Sequence, residues 1–80
     1  MKTPTGWHEA NRALQREFEF PSFADAVAFV TRVAGLAEVE NHHPDVDIRY
    51  RRVTVRWTTH PAGGITERDL ELALRTSEVA

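Results

Sequence analysis

The feature that most constrains the fold is a β-rich run over residues 46 to 59. It carries β-branched and aromatic side chains at alternate positions, namely Val46, Ile48 and Tyr50, then Val53, Val55 and Trp57. One extended strand of that length would span roughly 45 Å, which is too long for a domain of 80 residues. The run must therefore fold back on itself, and we place the reversal at Arg51–Arg52.

A second strand pair is predicted before this hairpin. Within residues 12 to 20, apolar side chains such as Leu14 and Phe18 fall at alternate positions, which is the pattern of a half-buried strand. Residues 7 to 9 can form its partner strand, with the turn near Ala10–Asn11.

A first helix is predicted from about residue 23 to residue 40. Ser22 can cap its free amides, and Asp25 can return the bond to complete a capping box. Its apolar stripe consists of Ala26, Val27, Val30, Val33, Ala34 and Ala37. Gly35, inside the helix, suggests close approach to another backbone.

A second helix is predicted to begin with the capping box of Thr66 and Asp69 and to end near Val79. Its apolar stripe is narrow and comprises Leu70, Ala73 and Leu74. Two strand pairs, each followed by a helix, predict an α+β fold in ββαββα order. We expect a four-stranded antiparallel sheet with the helices packed on one face, in a single domain over residues 1–80.

The composition excludes several classes of protein. The chain has no cysteine, which removes disulfide-stapled miniproteins and thiolate metal sites and is compatible with a reducing, cytoplasmic location. No stretch approaches the roughly 20 apolar residues that cross a bilayer, and no signal peptide is visible, so we expect no membrane association. Because so short a chain buries a modest core, we expect it to associate with further copies of itself.

Three histidines and two carboxylates are the candidate chemical groups. His42 and His43 end the first helix, and His60 lies where the last strand leaves the sheet. Glu38 lies one turn before His42, and Asp69 lies in the first turn of the second helix. Taken singly, each carboxylate has an ordinary explanation as a cap or a solvated charge. Together they predict one cluster, provided that the hairpin returns His60 to the helix end.

The chemistry that fits this cluster is proton transfer. A zinc site is disfavoured because adjacent histidines in extended chain point to opposite sides and no His-x-His or His-x-x-x-His pair is present. No Gly-x-Ser-x-Gly elbow and no phosphate-binding loop is present either. Imidazoles gain and lose protons near neutral pH, so one can protonate a leaving hydroxyl while another accepts a proton. This suits the elimination of water.

The spacing of these groups resembles a family signature. Its positions are Glu38, His42-His43-Pro44, Tyr50, His60 and Asp69. This pattern is similar to that of the pterin-4a-carbinolamine dehydratases, also called 4a-hydroxytetrahydrobiopterin dehydratases. The Gly6-Trp7 pair and the Phe18, Phe20 and Phe23 segment also look like that family, so the resemblance covers almost the whole chain.

The resemblance implies an enzyme that removes water from 4a-hydroxytetrahydrobiopterin to give quinonoid dihydropterin, without cofactor or metal, in tetrahydropterin recycling. It implies that His42 and His60 are the catalytic acid and base groups. It assigns His43 to contact with the pterin and leaves Glu38 and Asp69 as supporting groups. It also implies the predicted hairpin and a homodimer or homotetramer.

Two departures from the family pattern stand out. Only five residues precede Gly6, so an additional N-terminal helix found in many members is expected to be missing or vestigial. Val46 stands where some members carry tryptophan, which would change one wall of the pterin pocket.

Two alternative functions remain. Family members also act as dimerisation cofactors of a transcription factor, and related folds serve as assembly factors, so a non-catalytic protein-binding module is possible. A nucleic-acid surface would use basic and aromatic residues of the hairpin, namely Arg49, Arg51, Arg52 and Arg56 beside Tyr50 and Trp57. We expect no nucleic-acid partner because the chain has a formal net charge of −2 and a solvated hairpin tip explains the arginines.

Overall fold

The computed structural model describes residues 2–80, and Met1 lies outside the described residues. The chain forms two β-hairpins, each followed by a helix, in the predicted ββαββα order. The elements are β1 (His8–Ala10), β2 (Ala13–Glu19), α1 (Phe23–Glu40), β3 (Asp45–Arg49), β4 (Arg52–Trp57) and α2 (Glu67–Val79), with a short 3-10 turn at His60–Ala62. The four strands form one antiparallel sheet in the order β1-β2-β4-β3. The predicted α+β class is confirmed.

The two hairpin turns lie one residue away from their predicted positions. In the first, Ala10 pairs with Ala13, so the turn residues are Asn11 and Arg12, with φ of 51° and 64°. In the second, Arg49 pairs with Arg52, which leaves Tyr50 (φ 55°) and Arg51 in the turn.

Cross-strand pairing explains the position of the second turn. Ile48 lies opposite Val53, and Val46 lies opposite Val55. A slip of one residue would move the apolar side chains of β3 to the other face of the sheet. The pairing of apolar residues between β3 and β4 therefore sets the position of the turn, although neither Tyr50 nor Arg51 is a residue that favours turns.

Helix α1 has the predicted bounds, but its buried face is rotated. The Ser22 hydroxyl accepts a hydrogen bond from the Asp25 amide at 3.1 Å, while the return bond predicted from Asp25 is not formed among the described residues. The buried side chains are Ala26, Phe29, Val33, Leu36 and Ala37. The predicted positions Val27 and Ala34 are exposed instead, because the larger Phe29 and Leu36 fill the space above the sheet.

The prediction that Gly35 marks a close backbone approach is wrong. A Cβ atom at this position would meet nothing within 4 Å, and the residue faces solvent.

Helix α2 also has the predicted bounds and a complete capping box between Thr66 and Asp69. Its buried side chains are Asp69, Leu72, Ala73 and Thr76. The predicted stripe is partly wrong, since Leu74 is 55% exposed. Two of the four buried residues are polar, so a search for apolar spacing does not find this face.

The core lies between the sheet and the two helices. Its sheet side comes from the central strands, with Leu14 and Phe18 on β2 and Val53, Val55 and Trp57 on β4. Because Trp57 is fully buried, the basic and aromatic surface considered for nucleic acid lacks one of its two rings. Within residues 2–80, no helix has both the length and the apolar character of a membrane span.

Candidate active site

The three predicted histidines surround one concave pocket of about 330 Å³. The pocket lies where the C-terminal end of α1 meets the segment between β4 and α2. Its lining residues are Asn41, His42, His43, Thr58, Thr59, His60, Pro61 and Arg68. The β3–β4 hairpin therefore returns His60 to the helix end, as the proton-transfer hypothesis requires.

The end of α1 positions the histidine pair. Asn41 adopts the left-handed conformation (φ 49°) that commonly ends helices, and its amide donates to carbonyls of the last turn. The His42 amide donates to the Ala37 carbonyl at 3.1 Å. Pro44 follows His43 and favours extended backbone before it, which leads into β3.

The His42 ring is held on two sides. Its Nε2 lies 2.7 Å from Asp69 Oδ1, and its side chain is 11% exposed. The ring stacks on Trp57, with centroids 5.8 Å apart and planes inclined by 9°. Trp57 is itself held by a hydrogen bond from its Nε1 to the Thr76 hydroxyl at 3.0 Å. His42 thus has a defined orientation at the pocket.

Asp69 is fully buried and has two functions. Its Oδ2 accepts from the Thr66 amide at 2.8 Å, which closes the capping box of α2. The same oxygen accepts from the Thr59 hydroxyl at 2.7 Å, while Oδ1 faces His42. The structural and functional explanations of Asp69 are therefore compatible, because each carboxylate oxygen has its own partners.

His43 points to a different carboxylate. Its Nε2 lies 2.5 Å from Glu38 Oε2, with side-chain exposures of 58% and 75%. The two adjacent histidines therefore face Asp69 and Glu38 respectively, as expected for neighbouring residues in non-helical chain. Among residues 2–80, no group of three or more His, Cys, Asp or Glu side chains is arranged to hold a metal ion.

His60 begins the 3-10 turn and is exposed. Its carbonyl accepts from the amide of Gly63, a residue with φ of 73° that ends this turn. Thr59 and Gly64 pair across the base of the turn, with the Thr59 amide 3.0 Å from the Gly64 carbonyl. These backbone hydrogen bonds thus fix the position of His60 at the start of the turn.

Sequence reasoning missed several residues of the pocket. Arg68 donates to the Glu40 carbonyl at 2.5 Å and so links the start of α2 to the end of α1. An arginine in the first turn of a helix opposes the helix dipole, and that signal could have identified it. Nothing local in the sequence marks Thr59 as a partner of Asp69 or Trp57 as the stacking surface for His42.

Val46 does not line this pocket. It lies 39% exposed on β3 and borders a neighbouring apolar groove with Val30, Ala34 and Pro44, and His43 and Glu38 line this groove as well.

Comparison with known proteins identifies the family. The model of the family described as pterin 4 alpha carbinolamine dehydratase matches residues 1–79. The chain belongs to this family. One relative, from Thermomicrobium roseum, carries the name pterin-4-alpha-carbinolamine dehydratase. It is 55% identical over 94% of this chain and 81% of its own length. A relative of the same name from Roseiflexus sp. strain RS-1 is 49% identical over the same shares.

Solved structures of pterin dehydratase type share the fold. A crystal structure from Brucella melitensis, described as a transcriptional coactivator/pterin dehydratase, is 35% identical with a TM-score of 0.90, covering 95% of this chain and 83% of that one. A pterin dehydratase-like protein described as a RuBisCO assembly factor in the alpha-carboxysome has a TM-score of 0.76 at 23% identity, covering 92% and 86%. The latter likeness shows the fold alone.

Proposed function

We propose that this protein dehydrates 4a-hydroxytetrahydrobiopterin, or a pterin with another side chain, to the quinonoid dihydropterin. The observation that carries the proposal is that three imidazoles from two separate segments border one pocket, one of them bound to a fully buried carboxylate. Membership of the dehydratase family supports it.

The reaction needs two proton transfers. The bond between C4a and its hydroxyl oxygen breaks, and the oxygen leaves as water after it receives a proton from one imidazolium. The electron pair of the adjacent ring nitrogen forms the new C=N bond, and the proton of that nitrogen passes to a second imidazole. The two histidines exchange protonation states, solvent restores them, and no electron is gained or lost overall.

His42 and His60 are the two proposed acid/base groups, and the tautomer of His42 makes it the base. Asp69 in its ionised form only accepts hydrogen bonds, so His42 Nε2 donates to it. That leaves His42 Nδ1 as the ring nitrogen available to the substrate. His60 is exposed across the pocket, and His43, steadied by Glu38, contacts and orients the pterin.

The product suggests the place of the reaction in a cycle. A quinonoid dihydropterin is two electrons more oxidised than a tetrahydropterin. We therefore propose that a reductase consumes it and regenerates the tetrahydropterin for aromatic amino-acid hydroxylation.

A non-catalytic protein-binding module is the second candidate. The observation that favours it is a set of exposed apolar side chains on neighbouring elements: Phe23 and Val27 on α1, and Val46 and Ile48 on β3. A second copy of this chain or another protein can cover these residues. In a protein-binding module, the three histidines would have no catalytic role.

A stopped-flow assay distinguishes the two candidates. Synthesised 4a-hydroxytetrahydropterin is mixed with the protein, and formation of the quinonoid product is followed by absorbance. The matched control is the double variant His42→Ala/His60→Ala at the same concentration. Faster dehydration by the wild type alone supports the enzyme. Equal rates with wild type, double variant and buffer would contradict it.

A further inference from the structure

Thr59 has contacts that link the two proposed acid/base histidines. Its hydroxyl lies 2.7 Å from Asp69 Oδ2, and Asp69 binds His42 through its other oxygen. Its carbonyl accepts from the Ala62 amide at 3.1 Å, within the turn that starts at His60. One residue therefore contacts the carboxylate behind His42 and precedes His60 in the chain.

Counting hydrogens gives these bonds a direction. A threonine hydroxyl has one hydrogen to donate. The Thr59 hydroxyl lies 2.7 Å from Asp69 Oδ2, whereas the Thr66 hydroxyl lies 3.3 Å from the same oxygen. The shorter contact assigns the Thr59 hydrogen to Asp69, so Thr66 donates in the 2.9 Å contact between the two hydroxyls. The bonds run from Thr66 to Thr59, from Thr59 to Asp69, and from His42 to Asp69.

The Thr59 bond restrains the carboxylate in a way that the other Oδ2 donors do not. The Thr66 amide lies within the same capping box as Asp69 and would hold the carboxylate in any protein with this helix start. Thr59 lies outside α2, on the segment that leaves β4, so its bond fixes Asp69 relative to the pocket wall. In metal sites, the groups that orient a ligating histidine from behind change affinity or activity about 10- to 100-fold when they are removed, and we expect an effect of about that size here.

We propose that Thr59 is a positioning residue, which holds Asp69 so that the His42 ring keeps its orientation and its Nε2–H tautomer opposite His60. This inference rests on the proposed dehydratase function. Thr59 acts through Asp69 and takes no proton from the substrate itself.

The test compares Thr59→Val with Thr59→Ser. Valine keeps the branched shape and removes the hydroxyl, whereas serine keeps the hydroxyl. We expect Thr59→Val to lower kcat by about 10-fold or more, with KM within about twofold, and Thr59→Ser to retain kcat within about threefold. Thr59→Ala replaces the valine variant if the latter does not fold.

The matched control is Thr54→Val. This threonine is on β4, the strand that leads to Thr59. Its neighbours Val53 and Val55 point into the core, so Thr54 itself lies on the opposite face of the sheet. We expect its kcat and KM to equal those of the wild type.

A second measurement does not depend on turnover. Long-range 1H–15N spectra of the ligand-free protein report which nitrogen of the His42 ring carries the proton. We expect Nε2–H in the wild type and in Thr59→Ser, and a mixture of tautomers or a broadened signal in Thr59→Val.

Unchanged kcat and an unchanged His42 spectrum in Thr59→Val would overturn the proposal. Equal losses in Thr59→Val and Thr59→Ser would also overturn it, since they would indicate packing rather than the hydroxyl. If the wild type shows no dehydration at all, the proposed function has failed, while the ring spectra still decide whether Thr59 positions His42.

Discussion

Replacing Asp69 by asparagine changes one atom at the centre of the site. The amide has one oxygen and one NH2 group where the carboxylate has two oxygens. Its oxygen should turn to the Thr59 hydroxyl and the Thr66 amide, because both groups donate. The NH2 group then faces His42 Nε2, which must accept, so the ring carries its proton on Nδ1 instead. The ring nitrogen that we propose for the substrate is thereby changed from acceptor to donor.

The structure sets the size of both effects. Three short bonds to the carboxylate, at 2.7, 2.7 and 2.8 Å, lose their ionic partner. A hydrogen bond to a charged group contributes about 1 kcal/mol more than a neutral one, so we expect a loss of about 3 kcal/mol in the free energy of unfolding. For a domain of this size, that lowers Tm by roughly 12–24 °C. An inverted histidine tautomer lowers kcat by about 10⁴-fold in the Ser-His-Asp enzymes, and we expect a loss of about 10²- to 10⁴-fold here.

The assay combines thermal unfolding with stopped-flow dehydration below the Tm of the variant. Glu38→Gln is the matched control, because it makes the same chemical change in a carboxylate that also contacts a histidine Nε2. Glu38 is 75% exposed, so water replaces what the carboxylate loses, and we expect Tm to change little. The comparison isolates burial as the cause of the difference.

Two results would refute this reasoning. If Asp69→Asn unfolds at the wild-type temperature, the buried hydrogen bonds do not contribute as argued. If it keeps wild-type kcat while the His42 ring spectrum shows the inverted tautomer, the tautomer has no part in the reaction.

Further predictions concern the histidines and metals. His42→Ala and His60→Ala should each lower kcat by about 10²-fold or more, as loss of an acid or base group does. Circular dichroism should show that both variants are folded. Wild-type turnover in both variants would exclude these roles. His60→Ala should also leave Tm nearly unchanged, since His60 is exposed, whereas His42→Ala should lower it because the Trp57 ring loses its stacking partner. His43→Ala should mainly raise KM, and an unchanged KM with low kcat would argue against a binding role. Activity should survive exhaustive chelation, and a loss that zinc restores would require a metal-based account.

Much of the fold was predictable because its signals are local. Ser22 and the Thr66–Asp69 box mark where the two helices begin, and the β-rich run was too long to be one strand. The turns were less predictable. Tyr50 and Arg51 occupy a turn because Ile48 and Val53 pair on one face, and that pairing is a property of two strands together.

The buried helix faces show the same limit. Phe29 and Leu36 replace Val27 and Ala34 on the inner face of α1, since apolar spacing alone allows either stripe. On α2, the polar residues Asp69 and Thr76 are fully buried because each has hydrogen-bond partners from outside its own helix.

The amino-acid sequence by itself determined the order of strands and helices along the chain and the five polar groups of the candidate site. Capping residues, alternation and residue types can each be recognised within a short segment. Tertiary structure decided which group meets which. Asp69 contacts His42 from 27 residues away, and this contact depends on how the β3–β4 hairpin and the two helix ends come together. Its contact with Thr59, 10 residues away, depends on the turn that the Thr59–Gly64 pair closes before α2. Burial and partner choice arise from that folding, because residue types and their spacing do not show which side chains will meet.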